Sequence, residues 1–215
     1  MAFITLSFCG CRKASTRGTR TNTKETMAEV KQKDSGRRHE KKRDDDITPS
    51  AKKLSGSEVF ERYGKAVFMI FTSDGTNNYQ GSGFFVGKNG LAVSNYHVFE
   101  GTNIGKENIK LSYDDEYYYK VVEVIAKSKP SIGEKVYAIG SPRGLENTFS
   151  SGEISQWRGE YLMQINALID HGSSGGALIN EYGEVVGITS GSFYDGSQAN
   201  LNYAWSIDAV KPYVK

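Results

Sequence analysis

Asp170-His171-Gly172-Ser173-Ser174-Gly175-Gly176-Ala177-Leu178 is the stretch on which the reading of this chain turns. A serine hydroxyl is a weak nucleophile until a base takes its proton. Acyl chemistry also needs backbone N–H donors aimed at the oxyanion that develops. Glycines on both sides of the serine let the backbone form such a donor loop and let a substrate come close. Gly172, Ser174, Gly175 and Gly176 fit that need. Read alone, the same residues also suit a flexible Gly/Ser turn between strands.

A base is needed upstream or downstream. Gly81-Ser82-Gly83-Phe84-Phe85-Val86, then Asn89-Gly90, then Leu91-Ala92-Val93-Ser94-Asn95-Tyr96-His97-Val98-Phe99 places a histidine directly after an apolar strand pattern. Beyond the first 55 residues the chain has only His97 and His171, and His97 alone ends a strand from which it could reach a distant serine. His39 lies in a charged stretch and reads as a solvated linker residue. Asp170 and His171 are adjacent, and neighbours in sequence do not make the base–orienter pair that a fold must bring together.

Around these blocks the chain reads as β structure. Gly is abundant at 24 residues while Pro is only 4, which suits short strands joined by tight turns. Ser55-Gly56-Ser57-Glu58 offers helix-capping chemistry, so a short helix is predicted over Glu58 to Tyr63. Strands are predicted at Ala66–Thr72, Gly83–Val86, Ala92–Asn95, Ile109–Tyr113, Tyr117–Ile125, Lys135–Ile139, Thr148–Gln156, Tyr161–Ile165, Ala177–Ile179, Val185–Thr189 and Asn202–Ile207. Many short strands without helical periodicity indicate an all-β sandwich or barrel.

Three blocks in order resemble the protease domain of trypsin-like serine endopeptidases of the HtrA/Deg kind. These are the His97 block, the run K-V-Y-A-I-G-S-P-R-G-L-E-N-T-F-S-S-G-E-I-S from Lys135 to Ser155, and the Ser174 block extended to H-G-S-S-G-G-A-L-I-N-E-Y-G-E-V-V-G-I-T-S. The order of histidine before serine fits that type and not the α/β-hydrolases. The resemblance implies a two-barrel, chymotrypsin-type fold with the active site between the barrels. It implies His97 as general base, Ser174 as nucleophile, and the backbone N–H groups of Gly172 and Ser174 as oxyanion hole. Thr189, Ser190, Gly191 and Ser192 would border the substrate. The implied substrates are unfolded or misfolded polypeptides, with no cofactor and no metal.

Two departures stand out. The chain runs no further than Lys215, with no PDZ segment after the last strand. The triad aspartate is not identifiable either. Val124-Ile125-Ala126 leads straight into Lys127-Ser128-Lys129-Pro130, as though the acid and the last strand of the first barrel had been excised. Asp114, Asp115 and Glu123 are the remaining candidates to orient His97. The expectation is therefore an impaired endopeptidase, with a peptide-binding pseudoprotease of the same fold as the alternative.

The expected domain spans residues 56–215, behind a disordered basic linker at residues 12–55 that contains RRHEKKRDDD. Up to Ser55 there are fourteen Lys and Arg against seven Asp and Glu, leaving thirteen against eighteen in the remainder. The positive charge thus belongs to the tail, which argues against nucleic acid as the body's partner. Residues 1–11 (Ala2 to Phe8 ending at Cys9-Gly10-Cys11) resemble the end of a lipoprotein signal. That reading makes the protein extracytoplasmic and gives it a membrane tether. The other readings are a fortuitous apolar start or a true start at Met27. Cys9 and Cys11 are the only cysteines, so no disulfide staples the body. Cleavage preference and oligomeric state have no signature in the sequence.

Overall fold

A computed structural model describes residues 2–6, 52–86, 91–102, 108–111, 125–145, 147–192 and 201–214. The chain divides into one unit made of Met1–Ser7 with Ile47–Lys215 and another made of Phe8–Asp46. The second lies wholly outside the described residues, as does most of the expected linker. The first is built on sheets, and its strands follow the apolar runs of the sequence.

The domain opens with helix α1 (Gly56–Tyr63). Ser55 caps it: the Glu58 N–H donates to Ser55 Oγ at 3.3 Å, and the Ser55 N–H donates to Glu58 Oε2 at 2.7 Å. The pair satisfies two amides that a helix start otherwise leaves unpaired. The domain begins slightly ahead of the expected boundary. Leu54 is buried, its N–H reaches the Glu181 carbonyl at 2.7 Å, and Lys53 pairs with Glu181.

Eleven strands occur among the described residues. They are β1 (Ala2–Leu6), β2 (Val67–Ser73), β3 (Asn78–Val86), β4 (Leu91–Asn95), β5 (Asn108–Leu111), β6 (Lys135–Gly140), β7 (Thr148–Trp157), β8 (Leu162–Ile165), β9 (Ala177–Asn180), β10 (Val185–Ser192) and β11 (Asn202–Ser206). The last six close into a barrel in the order β10-β11-β8-β7-β6-β9. The first five form a sheet in the order β1-β4-β3-β2-β5. Ala2–Leu6, the segment similar to an export leader, lies parallel to β4 with Ile4 opposite Val93. The strand expected at Tyr117–Ile125 lies outside the described residues except for Ile125, which bridges to Val185.

Strands β6 and β9 are buried on both faces, so their sequences read as unbroken apolar runs. Successive side chains point to opposite faces. Val136 and Ala138 of β6 face a cluster with Ile154, Met163, Ile165, Leu178, Val186 and Ala204, drawn from all six barrel strands. Tyr137 and Ile139 face a second cluster that includes Val67, Phe84 and Val93 of the first sheet and Val59 and Tyr63 of α1. The outer face of the barrel is thereby the inner face of the domain. A third cluster (Phe68, Ile70, Phe85, Ala92, Val98 and Phe99) lies on the other side of the first sheet, under the turn that carries His97.

Ile139 is fully buried in the cluster that joins sheet to barrel. Ile139→Ala removes three carbons there, and we expect a loss of about 2–5 kcal/mol in urea denaturation. A loss below about 1 kcal/mol would show that this cluster does not hold the two sheets together.

Candidate active site

The site is assembled from three loops. β4 delivers His97 in a 3-10 turn (Tyr96–Val98). The segment from Asp170 to Gly176 carries Ser174 into β9. A further 3-10 turn, Pro142–Gly144, follows β6. Asn95, just ahead of His97, reaches the barrel side, while Ser94 ties β4 to β3. Asn95 Nδ2 donates to the Thr189 carbonyl at 2.6 Å, and Ser94 Oγ donates to the Ser82 carbonyl at 2.7 Å. The turn bearing His97 is thus pinned against the strand beside Ser174. Asn95 is 2% exposed, and its Oδ1 is buried without a partner.

The loop around Ser174 is held from below. Thr189 Oγ1 donates to the Ser173 carbonyl at 2.6 Å, and the Gly175 N–H to the Thr189 carbonyl at 2.7 Å. The N–H groups of Ser173 and Gly176 donate to the carbonyls of Asp170 and Ser173. No hydrogen bond among the described residues takes up the N–H of Gly172 or of Ser174. Gly175 has φ +92°, and a Cβ there would fall 2.0 Å from the Ser82 carbonyl oxygen. A side chain at this position is thus excluded twice, by conformation and by contact.

Ser174 is half-buried, and its hydroxyl donates to the Ser190 carbonyl at 2.9 Å. Ser190 is the extra residue where the β10–β11 register shifts between Thr189 and Gly191. Such bulges re-aim the local backbone, and this one brings the Ser190 carbonyl to Ser174. Gly191 stands in front: a Cβ on it would lie 3.7 Å from Ser174 Oγ. Thr189 is buried and committed to the nucleophile loop, whereas Ser190 and Gly191 keep partial exposure. Ser192 ends β10. A cavity of about 370 Å³ opens on the other side of the loop, walled by Ile139, Phe149, Leu168, Ile169 and Ser173 among others.

His97 accepts no hydrogen bond from Ser174 and gives none to a carboxylate among the described residues. Burial of its ring disfavours the imidazolium and lowers its pKa below the ordinary histidine value, against the opposing pull of the Glu100 carboxylate. The residue as a whole is nevertheless exposed, so solvent screens much of that penalty. Asp114, Asp115 and Glu123 lie outside the described residues. His171 is exposed and its N–H is held by the Asp170 carboxylate. Glu100, Asn95, Ser82 and Arg143 were missed in the sequence. Glu100 had a signal, standing three residues after His97. No group of three or more His, Cys, Asp or Glu among the described residues could hold a metal.

This geometry agrees with what the chain is similar to. A family model described as a trypsin-like peptidase domain matches residues 109–188. The chain is 33% identical over 158 residues to a probable periplasmic serine endoprotease DegP-like of Rhizobium meliloti, covering 60% of this chain and 31% of that protein. It is 28% identical over 163 residues to Protease Do-like 1, chloroplastic, of Arabidopsis thaliana, covering 60% and 37%. The serine endoprotease from Yersinia pestis superposes with a TM-score of 0.61 at 24% identity, over 74% of this chain and 65% of that one.

The fold is that of an HtrA-type, trypsin-like protease domain. The chain spans about a third of the length of the curated relatives it matches. As expected from the sequence, the HtrA-like fold is all-β. Its second barrel is closed, and its first sheet has five strands among the described residues.

The lowered pKa of His97 gives a direct test. An NMR titration of its ring is expected to have a midpoint below 6.5, leaving the imidazole neutral at pH 7. Glu100→Gln removes the one opposing charge and is expected to move the midpoint further to acid. A midpoint above 6.5 in the parent chain would overturn the desolvation argument.

Proposed function

We propose that this domain is a serine endopeptidase in which Ser174 is the nucleophile and His97 the general base. Ser174 Oγ would attack the scissile carbonyl carbon while its proton passes to the imidazole of His97. The negative charge would gather on the former carbonyl oxygen and be received by the N–H groups of Gly172 and Ser174. His97 would then give the proton to the departing amine, and water would hydrolyse the acyl-serine by the same route. The observation that carries this reading is the alternation of amides along the loop. The N–H groups of His171, Ser173 and Gly175 are bonded, while those of Gly172 and Ser174, on either side of Ser173, stay uncommitted.

The substrate class proposed is unfolded or misfolded polypeptide, entering beside Ser190, Gly191 and Ser192, with an apolar side chain in the cavity walled by Leu168 and Ile169. An extracytoplasmic location, with a membrane tether through the N-terminal segment, goes with this proposal. The Rhizobium relative, a probable periplasmic serine endoprotease, supports the location. No helix among the described residues is long and apolar enough to cross a membrane.

A second reading is favoured by two observations. The Ser174 hydroxyl is engaged by the Ser190 carbonyl, and no described carboxylate hydrogen-bonds His97. A weak or inactive peptide-binding domain would have this arrangement. Loss of the orienting acid costs about 10⁴-fold in kcat in the serine-protease template.

A fluorophosphonate probe separates the two. Ser174 is expected to be the only serine modified, and Ser174→Ala to abolish labelling. Labelling that maps to Ser173, or that survives the alanine change, refutes the nucleophile assignment. Absence of labelling in the parent chain favours the peptide-binding reading.

A further inference from the structure

The nucleophile loop owes its shape to one residue that the reaction itself does not use. Asp170 makes four hydrogen bonds around the loop. Its Oδ1 accepts the N–H of His171 at 2.7 Å, and its carbonyl accepts the N–H of Ser173 at 2.9 Å. Its own N–H donates to Ser173 Oγ at 3.3 Å. Its Oδ2 accepts Arg143 Nε at 2.6 Å. The two loop amides it captures flank Gly172, and Ser173 separates Gly172 from Ser174. Fixing amides 171 and 173 on one side turns 172 and 174 to the other, where an oxyanion could meet both.

Arg143 is placed for this by its own backbone. It sits in the left-handed region, φ 53° and ψ 27°, which residues other than glycine seldom occupy. Its N–H donates to the His171 carbonyl at 2.8 Å. Arg143 thus grips the loop twice, through the His171 carbonyl and through the Asp170 carboxylate. The pair is exposed, with side-chain exposures of 72% and 42%, so as an isolated ion pair it adds little to stability. Its effect is directional: it stops the carboxylate from rotating off the His171 amide. The Asp170 carboxyl is held below the usual aspartate range, chiefly by the His171 N–H and also by Arg143, against a smaller cost of burial.

We propose that Asp170, steadied by Arg143, is a positioning residue that presents the Gly172 and Ser174 amides as an oxyanion hole. This rests on the reading of Ser174 as nucleophile. Asp170 touches no reacting atom; it acts through the loop. The sequence motif D-H-G-S-S-G-G and the distant P-R-G of the turn after β6 are then two halves of one device.

The test uses the full chain and two readouts. The first is the kinetics of fluorophosphonate labelling of Ser174, separated into reversible binding and the phosphonylation step. In Asp170→Ala the phosphonylation step is expected to slow by about tenfold to a hundredfold, somewhat less than loss of a whole oxyanion donor, with reversible binding unchanged. Arg143→Gln is expected to show a smaller slowing and Arg143→Lys to recover part of it. The second readout is amide hydrogen exchange over residues 170–176, which does not need a working nucleophile. His171, whose N–H loses its carboxylate acceptor, is expected to exchange faster in Asp170→Ala, while Ser173, which keeps the residue-170 carbonyl as acceptor, and amides of β6 and β9 keep their protection. A phosphonylation rate within twofold of the parent overturns the proposal, and so does unchanged exchange at His171. If Ser174 of the parent is not labelled at all, the nucleophile assignment falls by itself, and the exchange rates still decide whether Asp170 orders the loop.

Discussion

The hydrogen bonds of Ser82 hold the site together. Its N–H donates to the Ser174 carbonyl at 2.7 Å and its carbonyl accepts Ser94 Oγ at 2.7 Å. Its hydroxyl donates to the Gly172 carbonyl at 2.7 Å and accepts the Ser141 N–H at 2.9 Å. The residue is fully buried, and these four bonds use its backbone and both roles of its hydroxyl. They join β3 to the nucleophile loop, to the turn after β6 and to the strand before His97. A buried polar group that loses one partner costs far more than an exposed one, so each of these segments is committed to the others. The Gly172 and Ser174 carbonyls both bond to Ser82, so the backbone on either side of Ser173 is fixed from β3.

The glycines on either side of Ser82 serve packing, not turning. A Cβ at Gly81 would lie 2.6 Å from both γ-methyls of Val98, and one at Gly83 would lie 2.7 Å from the Phe68 ring. The turn that carries His97 therefore lies directly on the backbone of β3. The turn that carries His97 is held by this contact and by the Asn95–Thr189 bond, and among the described residues no hydrogen bond joins His97 to Ser174. The same economy appears in β6, whose alternate residues serve the barrel interior and the sheet–barrel junction. β6 ends in Gly140, where a Cβ would meet Ser173 Cα at 3.1 Å.

Much of this was legible in the sequence because it rests on periodicity and on local chemistry. The apolar runs at Lys135–Ile139 and Ala177–Ile179 gave β6 and β9 to within a residue, and Ser55 with Glu58 gave the capped helix. β3 and β10 were read short. Asn78–Ser82 and Ser190–Ser192 are polar, and their extended form comes from pairing with β2 and β11 rather than from their own propensity. Ser174 and His97 were visible as motifs. The supports beneath them were not, since Ser82, Asn95 and Arg143 act through contacts 92, 94 and 27 positions away along the chain. Strand β1 escaped as well. A short apolar stretch at a chain start does not announce a strand, and its pairing with β4 is a contact about 90 positions away.

The two halves of the chemistry place different demands on this frame. Oxyanion stabilisation needs fixed dipoles, and the loop has them, held by Ser82 and Thr189. Proton transfer needs a base whose protonated form is tolerated. The environment of His97 favours its neutral form, which keeps it able to accept a proton at neutral pH. The same desolvation works against the imidazolium that forms once the proton has moved. In a complete triad a buried carboxylate stabilises that cation and fixes the tautomer. Among the described residues the carboxylate that raises the His97 pKa is Glu100, acting through charge alone. As the base of the proposed reaction, His97 would start from its neutral form. In the proposed reaction the loop would thus be better supported than the proton relay, since no described carboxylate hydrogen-bonds His97.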